Sequence, residues 1–145
     1  MRYDNKMTLE MTATSKNESF SRVVAAAFAA QLDPTVAEIS DIKTAVSEAV
    51  TNAIIHGYRD TPGEGVVRLS CCISENMLYI EITDFGQGIT DLKKAMTPLY
   101  SSCPSGERSG MGFTVMETFM DSIEVVSEPG KQTTIRMTKE IGSAE

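Results

Sequence analysis

The sequence predicts an α/β fold: a two-layer sandwich in which one mostly antiparallel mixed sheet is covered on one face by helices. Three observations lead there. Residues 8–14, 66–73, 77–84, 122–127 and 133–139 carry strand-like runs, two pairs of which are joined by short turns and so read as antiparallel hairpins. Helical spacing of apolar residues covers the stretches up to Leu32, from Ile39 to His56, and after Phe113. The order is strand, two helices, hairpin, helix, hairpin, which gathers the helices onto one side and leaves the sheet's other face exposed or paired.

The 145 residues fit one domain, 1–145, large enough to bury a core without disulfides or a structural metal. Apolar content of 41% and charged content of 23% are those of a soluble domain. No apolar run approaches the roughly 18 residues a membrane span needs, and Met1-Arg-Tyr-Asp-Asn-Lys6 lacks the apolar core of a secretory signal, so a cytoplasmic protein without membrane contact is expected. The net charge of −7 argues against direct nucleic-acid binding and favours a protein partner. Cys71 and Cys72 are adjacent in a strand and point to opposite faces, Cys103 falls in an expected loop, and there is one histidine; neither a disulfide framework nor a zinc site fits.

In the first strand Leu9, Met11 and Ala13 alternate with Thr8, Glu10, Thr12 and Thr14. Ser15-x-x-Glu18 has the form of a capping box, and Phe20, Val23, Val24, Ala27 and Gln31 then follow helical spacing, leaving Arg22 on the outer face. Arg22 is either a solvated arginine or a contact to a protein partner. Asp33-Pro34 stops this helix, and Thr35-x-x-Glu38 supplies a second capping box for the helix that ends near His56, with Gly57 as its cap. Ile42, Val46, Ala49 and Ala53 share one face of it. Glu48 and Asn52, four residues apart and so about 5–6 Å apart at Cβ, share another. They are either a surface pair or two groups that hold one ligand, metal ion or water.

A turn-rich connection, 59–65, leads into the first hairpin. Alternation puts Leu78, Ile80, Ile82 and Asp84 on the same face, so a carboxylate closes an apolar row and must accept hydrogen bonds from protein, water or ligand. Asp84-Phe-Gly-Gln-Gly88 follows, with Gly86 and Gly88 permitting a tight path, as a plain turn or beside a ligand. Residues 91–96 are expected to form a short helix and 97–109, rich in Ser, Pro and Gly, a mobile lid. Gly110 and Gly112 open the next helix, where freed backbone amides favour an anion. Its apolar stripe is Phe113, Met116, Phe119 and Met120, and Glu128-Pro-Gly-Lys131 turns the second hairpin.

In this order, Glu48-x-x-x-Asn52, Asp84-x-Gly-x-Gly88 and Gly110-x-Gly112 resemble the GHKL ATPase superfamily, over nearly the whole chain. The Bergerat ATP-binding fold and the cofactors ATP and Mg²⁺ are what that resemblance implies. The P-loop signature Gly-x-x-x-x-Gly-Lys-[Ser/Thr] does not occur. Ser47-Glu-Ala-Val-Thr-Asn-Ala-Ile-Ile-His-Gly-Tyr58 and Glu107-Arg-Ser-Gly-Met-Gly-Phe113 are similar to bacterial anti-sigma factors with serine kinase activity, those of sporulation above all.

Carried over residue by residue, the resemblance makes Asn52 the Mg²⁺ ligand, Asp84 the acceptor for the adenine amino group, and Gly86, Gly88, Gly110 and Gly112 the glycines around the nucleotide. Thr133 matches a threonine near the adenine, although Gln132 stands where the superfamily commonly has glycine. Glu48 becomes the base that prepares a serine hydroxyl. Arg108 either neutralises the transferring phosphate or lies in solvent. Glu107 contacts the lid, the partner or nothing. The implied partners are a sigma factor, an anti-anti-sigma factor phosphorylated on serine, and a second copy of the chain in a homodimer. A nucleotide-gated binding module with little catalysis, and a stress-response anti-sigma kinase, are the competing readings.

Overall fold

The computed structural model describes residues 3–58, 65–86, 112–128 and 132–142. Strand β1 (Asn5–Thr12) is followed by helices α1 (Lys16–Ala29) and α2 (Val36–Gly57), strands β2 (Val66–Ser74) and β3 (Met77–Asp84), helix α3 (Gly112–Phe119), and strands β4 (Ser122–Glu128) and β5 (Gln132–Glu140). The strands form one sheet in the order β1-β2-β3-β5-β4, and each neighbouring pair is antiparallel. β3, which carries Asp84, is the central strand.

The period-2 pattern of the strands sorts their side chains. Val67, Leu69, Cys71 and Ile73 from β2, Leu78, Ile80 and Ile82 from β3, and Ile135 and Met137 from β5 are buried on the helix-covered face. Against them α2 lays Ile42, Ala45, Val46, Ala49, Val50 and Ala53, all buried. Full burial of a side chain such as Ile42 or Leu78 stabilises the fold by roughly 1.5–3 kcal/mol. The opposite face is polar: Arg68 pairs with Glu10 at 2.7 Å, and Arg136 lies between Glu81 at 2.9 Å and Glu124 at 3.3 Å.

Several boundaries and one cap differ from expectation. β1 begins at Asn5 rather than residue 8, because β2 templates it along its whole length from the Asn5–Ile73 pair to the Thr12–Val66 pair. α2 runs through Gly57, so its cap falls on Tyr58. Of the two capping boxes only the second forms: Thr35 Oγ1 accepts from the Glu38 amide at 3.1 Å and Glu38 Oε1 accepts from the Thr35 amide at 2.9 Å. Ser15 has αR backbone and its side chain caps nothing.

The buried face of α1 also departs from the expected stripe. Phe20 and Val23 are 49% and 57% exposed, whereas Ser21, Ala25 and Ala29 are completely buried. Small side chains let the α1 backbone come close to α2 and the sheet, and this proximity outweighs the larger hydrophobic area that Phe20 and Val23 offer. Ser21 is tolerated there because its hydroxyl donates to the Asn17 carbonyl one turn back and lies 3.2 Å from Met11 Sδ. A short 3-10 turn, Ala30–Leu32, ends at Asp33, whose left-handed φ of 52° stops the helix.

Candidate functional site

α2 meets two environments, as its sequence requires. Its apolar stripe faces the sheet, and along another edge Asn52, 8% exposed, follows Glu48 by one turn. Gly112, the first residue of α3, is set against both. A Cβ on Gly112 would lie 2.8 Å from Asn52 Nδ2 and 3.3 Å from both Asn52 Oδ1 and Glu48 Oε2. The carboxylate, the carboxamide and a bare stretch of backbone at a helix start thus share one place, and any side chain at position 112 would displace the two polar groups.

A second cluster lies at the end of the central strand. Asp84 closes the inward row behind Ile82, is 5% exposed, and stands directly opposite Thr133 of β5, which is also 5% exposed. The Gly86 amide donates to Asp84 Oδ1 at 3.0 Å, and Thr133 Oγ1 lies 2.9 Å from Ser127 Oγ. Burial pushes the Asp84 carboxyl up from its ordinary 3.8 to about 6, opposed only in part by the Gly86 amide. A directional acceptor beside two hydroxyls suits a ligand that brings its own N–H donors.

The Glu48 side of the site continues into a groove of about 470 Å³ between α1 and α2, lined by Arg22, Ile39, Ser40, Lys43, Ser47 and Glu48. Arg22, expected on the outer face, is half-exposed there and lies 3.7 Å from Glu18, which in turn accepts a 2.9 Å hydrogen bond from Ser47. The groove is mixed in charge, with Lys43 and the Arg22–Glu18 pair along it and Glu48 at its end.

Glu48, Asn52 and Gly112 therefore come together, as do Asp84, Gly86 and Thr133, and Arg22 lies along the groove that leads to Glu48. Gly88, Gly110, Arg108, Glu107, the expected helix 91–96 and the expected lid 97–109 lie outside the described residues. One participant escaped the sequence reading. Tyr58 is buried, and its hydroxyl accepts from the Phe85 amide at 2.8 Å, next to Asp84. Only the tyrosine's place just after a helix and before glycine-rich chain hinted at it.

Magnesium suits the Asn52 end on chemical grounds: a carboxamide oxygen is a hard donor, and this ion keeps several waters and takes further ligands from phosphates rather than needing a cage of protein groups. Gly112, lacking a Cβ, lets the start of α3 approach Asn52 and Glu48 more closely than any other residue would.

The Histidine kinase-like ATPase domain family matches residues 11–139. The anti-sigma F factor of Thermoanaerobacter sp. (strain X514) is 59% identical over 143 residues, covering 99% of each chain. That of Clostridium botulinum (strain Eklund 17B / Type B) is 60% identical over 137 residues, 94% of this chain and 95% of the relative. A crystal structure of the RsbU and RsbW domains of a Mycobacterium tuberculosis protein shares the fold, with a TM-score of 0.67 at 18% identity, over 94% of this chain and 32% of that one. The chain belongs to the histidine kinase-like ATPase family and, within it, to the anti-sigma F factors. ATP is the cofactor this membership implies.

Proposed function

We propose that the chain, acting as one domain over residues 1–145, is an anti-sigma factor that binds and inhibits a sporulation sigma factor. We further propose that it is a protein serine kinase that uses Mg-ATP to phosphorylate a serine of an anti-anti-sigma factor. A single observation carries the kinase reading. Glu48 lies within reach of the Gly112 backbone position on one side and lines the α1–α2 groove on the other. A carboxylate that faces both a nucleotide cradle and an open groove is placed to receive a proton from a hydroxyl brought in along that groove.

In this reading Asn52 holds Mg²⁺, which when bound neutralises charge on the phosphates, and Gly110 and Gly112 give the phosphate oxygens backbone amides and room. Asp84 accepts from the adenine amino group, with Gly86, Gly88 and Thr133 around the base. Glu48 orients the acceptor serine and takes its proton, Arg108 offsets charge on the transferring phosphoryl group, and Arg22 contacts the protein partner. A second copy of the chain pairs elsewhere, on the uncovered sheet face or along the first strand, and the two protein partners then share one site. Nucleotide state selects between them only through differing affinities.

The test is phosphotransfer from γ-labelled ATP to purified anti-anti-sigma factor. Wild-type protein should label one serine of that partner stoichiometrically. Glu48→Ala should reduce transfer by at least a hundredfold while ATP binding changes little, as expected for a general base. ATP-dependent capture of the partner without any label on it would instead make the protein a nucleotide-gated binding module.

A further inference from the structure

Tyr58 follows the last residue of α2, six residues beyond Asn52, and its ring is buried against Gly65. A Cβ at Gly65 would come within 2.4 Å of that ring, and the glycine's φ of +92° is one that other residues rarely adopt. The ring is therefore seated on bare backbone, and its hydroxyl has two partners. It accepts from the Phe85 amide at 2.8 Å and donates to the Val66 carbonyl at 2.5 Å.

The register of the hairpin gives these bonds meaning. Val67 pairs with Asp84, so the next rung of the β2–β3 ladder would pair Val66 with Phe85. At that rung the amide and the carbonyl both meet the phenol oxygen instead of each other. The hydroxyl is interposed between the strands as a bridging water would be. The strand ends at Asp84, Phe85 leaves the sheet, and the chain turns so that the Gly86 amide reaches back to Asp84 Oδ1.

We infer that Tyr58 is a positioning residue for base recognition: its hydroxyl, wedged between Val66 and Phe85, fixes the Asp84–Gly86 corner so that the carboxylate faces the amino group of adenine. This rests on the proposed reading of Asp84 as the adenine acceptor. Because Tyr58 ends the helix that carries Glu48 and Asn52, it also ties that corner to the catalytic helix. Phenylalanine at this position keeps the packing on Gly65 but frees the amide and carbonyl. They then stay unpaired or close directly into an extra rung, and either outcome moves the corner.

Calorimetric titration with Mg-ATP and Mg-ITP separates this role from a merely structural one, since inosine carries a carbonyl where adenine carries the amino group. Wild type should prefer ATP, and Asp84→Asn should remove or reverse the preference. Tyr58→Phe should weaken ATP by about three- to tenfold, the worth of one hydrogen bond, and leave ITP nearly unchanged. An ATP-to-ITP ratio as large in Tyr58→Phe as in wild type, while Asp84→Asn abolishes it, overturns the role of Tyr58. A ratio unchanged in Asp84→Asn overturns the reading of Asp84 itself. Should Tyr58→Phe not fold, NMR of the wild-type protein decides: a slowly exchanging phenol proton with a cross-peak to the Phe85 amide is expected, and a phenol proton in rapid exchange with water overturns the inference.

Discussion

Asp84 is a carboxylate at the end of a row of aliphatic side chains, and its burial makes it costly to the empty protein. With its carboxyl pushed up to about 6 from 3.8, the folded chain holds a proton between pH 4 and 6 that the unfolded chain has released. The group's contribution to stability is therefore full below about pH 4 and is lost as pH rises through 6. Two pK units amount to on the order of 3 kcal/mol. Asp84→Asn should accordingly melt several degrees above wild type at pH 7 without nucleotide, with the difference shrinking toward pH 4, while, on the proposed reading, its preference for ATP over ITP disappears. Thermal melts of the two proteins across that range check the sign. On the proposed reading, wild-type ATP affinity should fall below about pH 6, because the proton must leave the carboxyl before its free oxygen accepts fully from the adenine amino group.

At the scale of elements, the two helix starts offer a paired comparison. Both Ser15-x-x-Glu18 and Thr35-x-x-Glu38 match the capping-box pattern, yet only Thr35 has extended backbone, with ψ of 166°, and makes both reciprocal bonds. Thr35→Ala should cost about 1 kcal/mol, whereas Ser15→Ala should stay within about 0.5 kcal/mol; urea denaturation of the two variants reads the difference. The second box is also tied into tertiary structure, since Glu38 Oε2 accepts from the Gly142 amide at 2.9 Å. Glu18 is occupied elsewhere, by Ser47 and Arg22 on the groove. A four-residue pattern states which bonds are possible, and the neighbours settle which of them form.

For the whole molecule, what was legible in the sequence followed from periodicity. The stripe Ile42, Val46, Ala49 and Ala53 and the row Leu78, Ile80 and Ile82 are buried as expected, because one repeat places each set on one face. The same counting failed for α1, where hydrophobicity pointed to Phe20 and Val23 but close approach selected Ser21, Ala25 and Ala29. The site divided similarly. Glu48, Asn52, Asp84 and Gly112 were singled out by motif, though Glu48 and Asn52 alone also fit a surface pair. Tyr58 was not singled out, because its role depends on the hairpin register and on Gly65 across the loop, neither of which is local in sequence. The polar outer face of the sheet contributes little through its individual ion pairs, since exposed pairs such as Arg68–Glu10 are worth less than about 1 kcal/mol.

The central position of β3 has a consequence for how the protein breathes. Asp84 and Thr133 sit on two hydrogen-bonded strands in the middle of the sheet, flanked by β2 on one side and β4 on the other. Gly112 belongs to an eight-residue helix. Backbone amides in the middle of a sheet open only in large, rare fluctuations, whereas the first turn of a short helix frays more readily even where its apolar face, here Phe113 and Met116, is buried. On the proposed reading, a nucleotide held at both places joins the two and stabilises most the helix start that frays without it. Hydrogen-exchange mass spectrometry should therefore show ATP slowing exchange in α3 by at least tenfold while β3 and β5 change much less. On the proposed reading ATP is a structural member of the fold as well as a reactant.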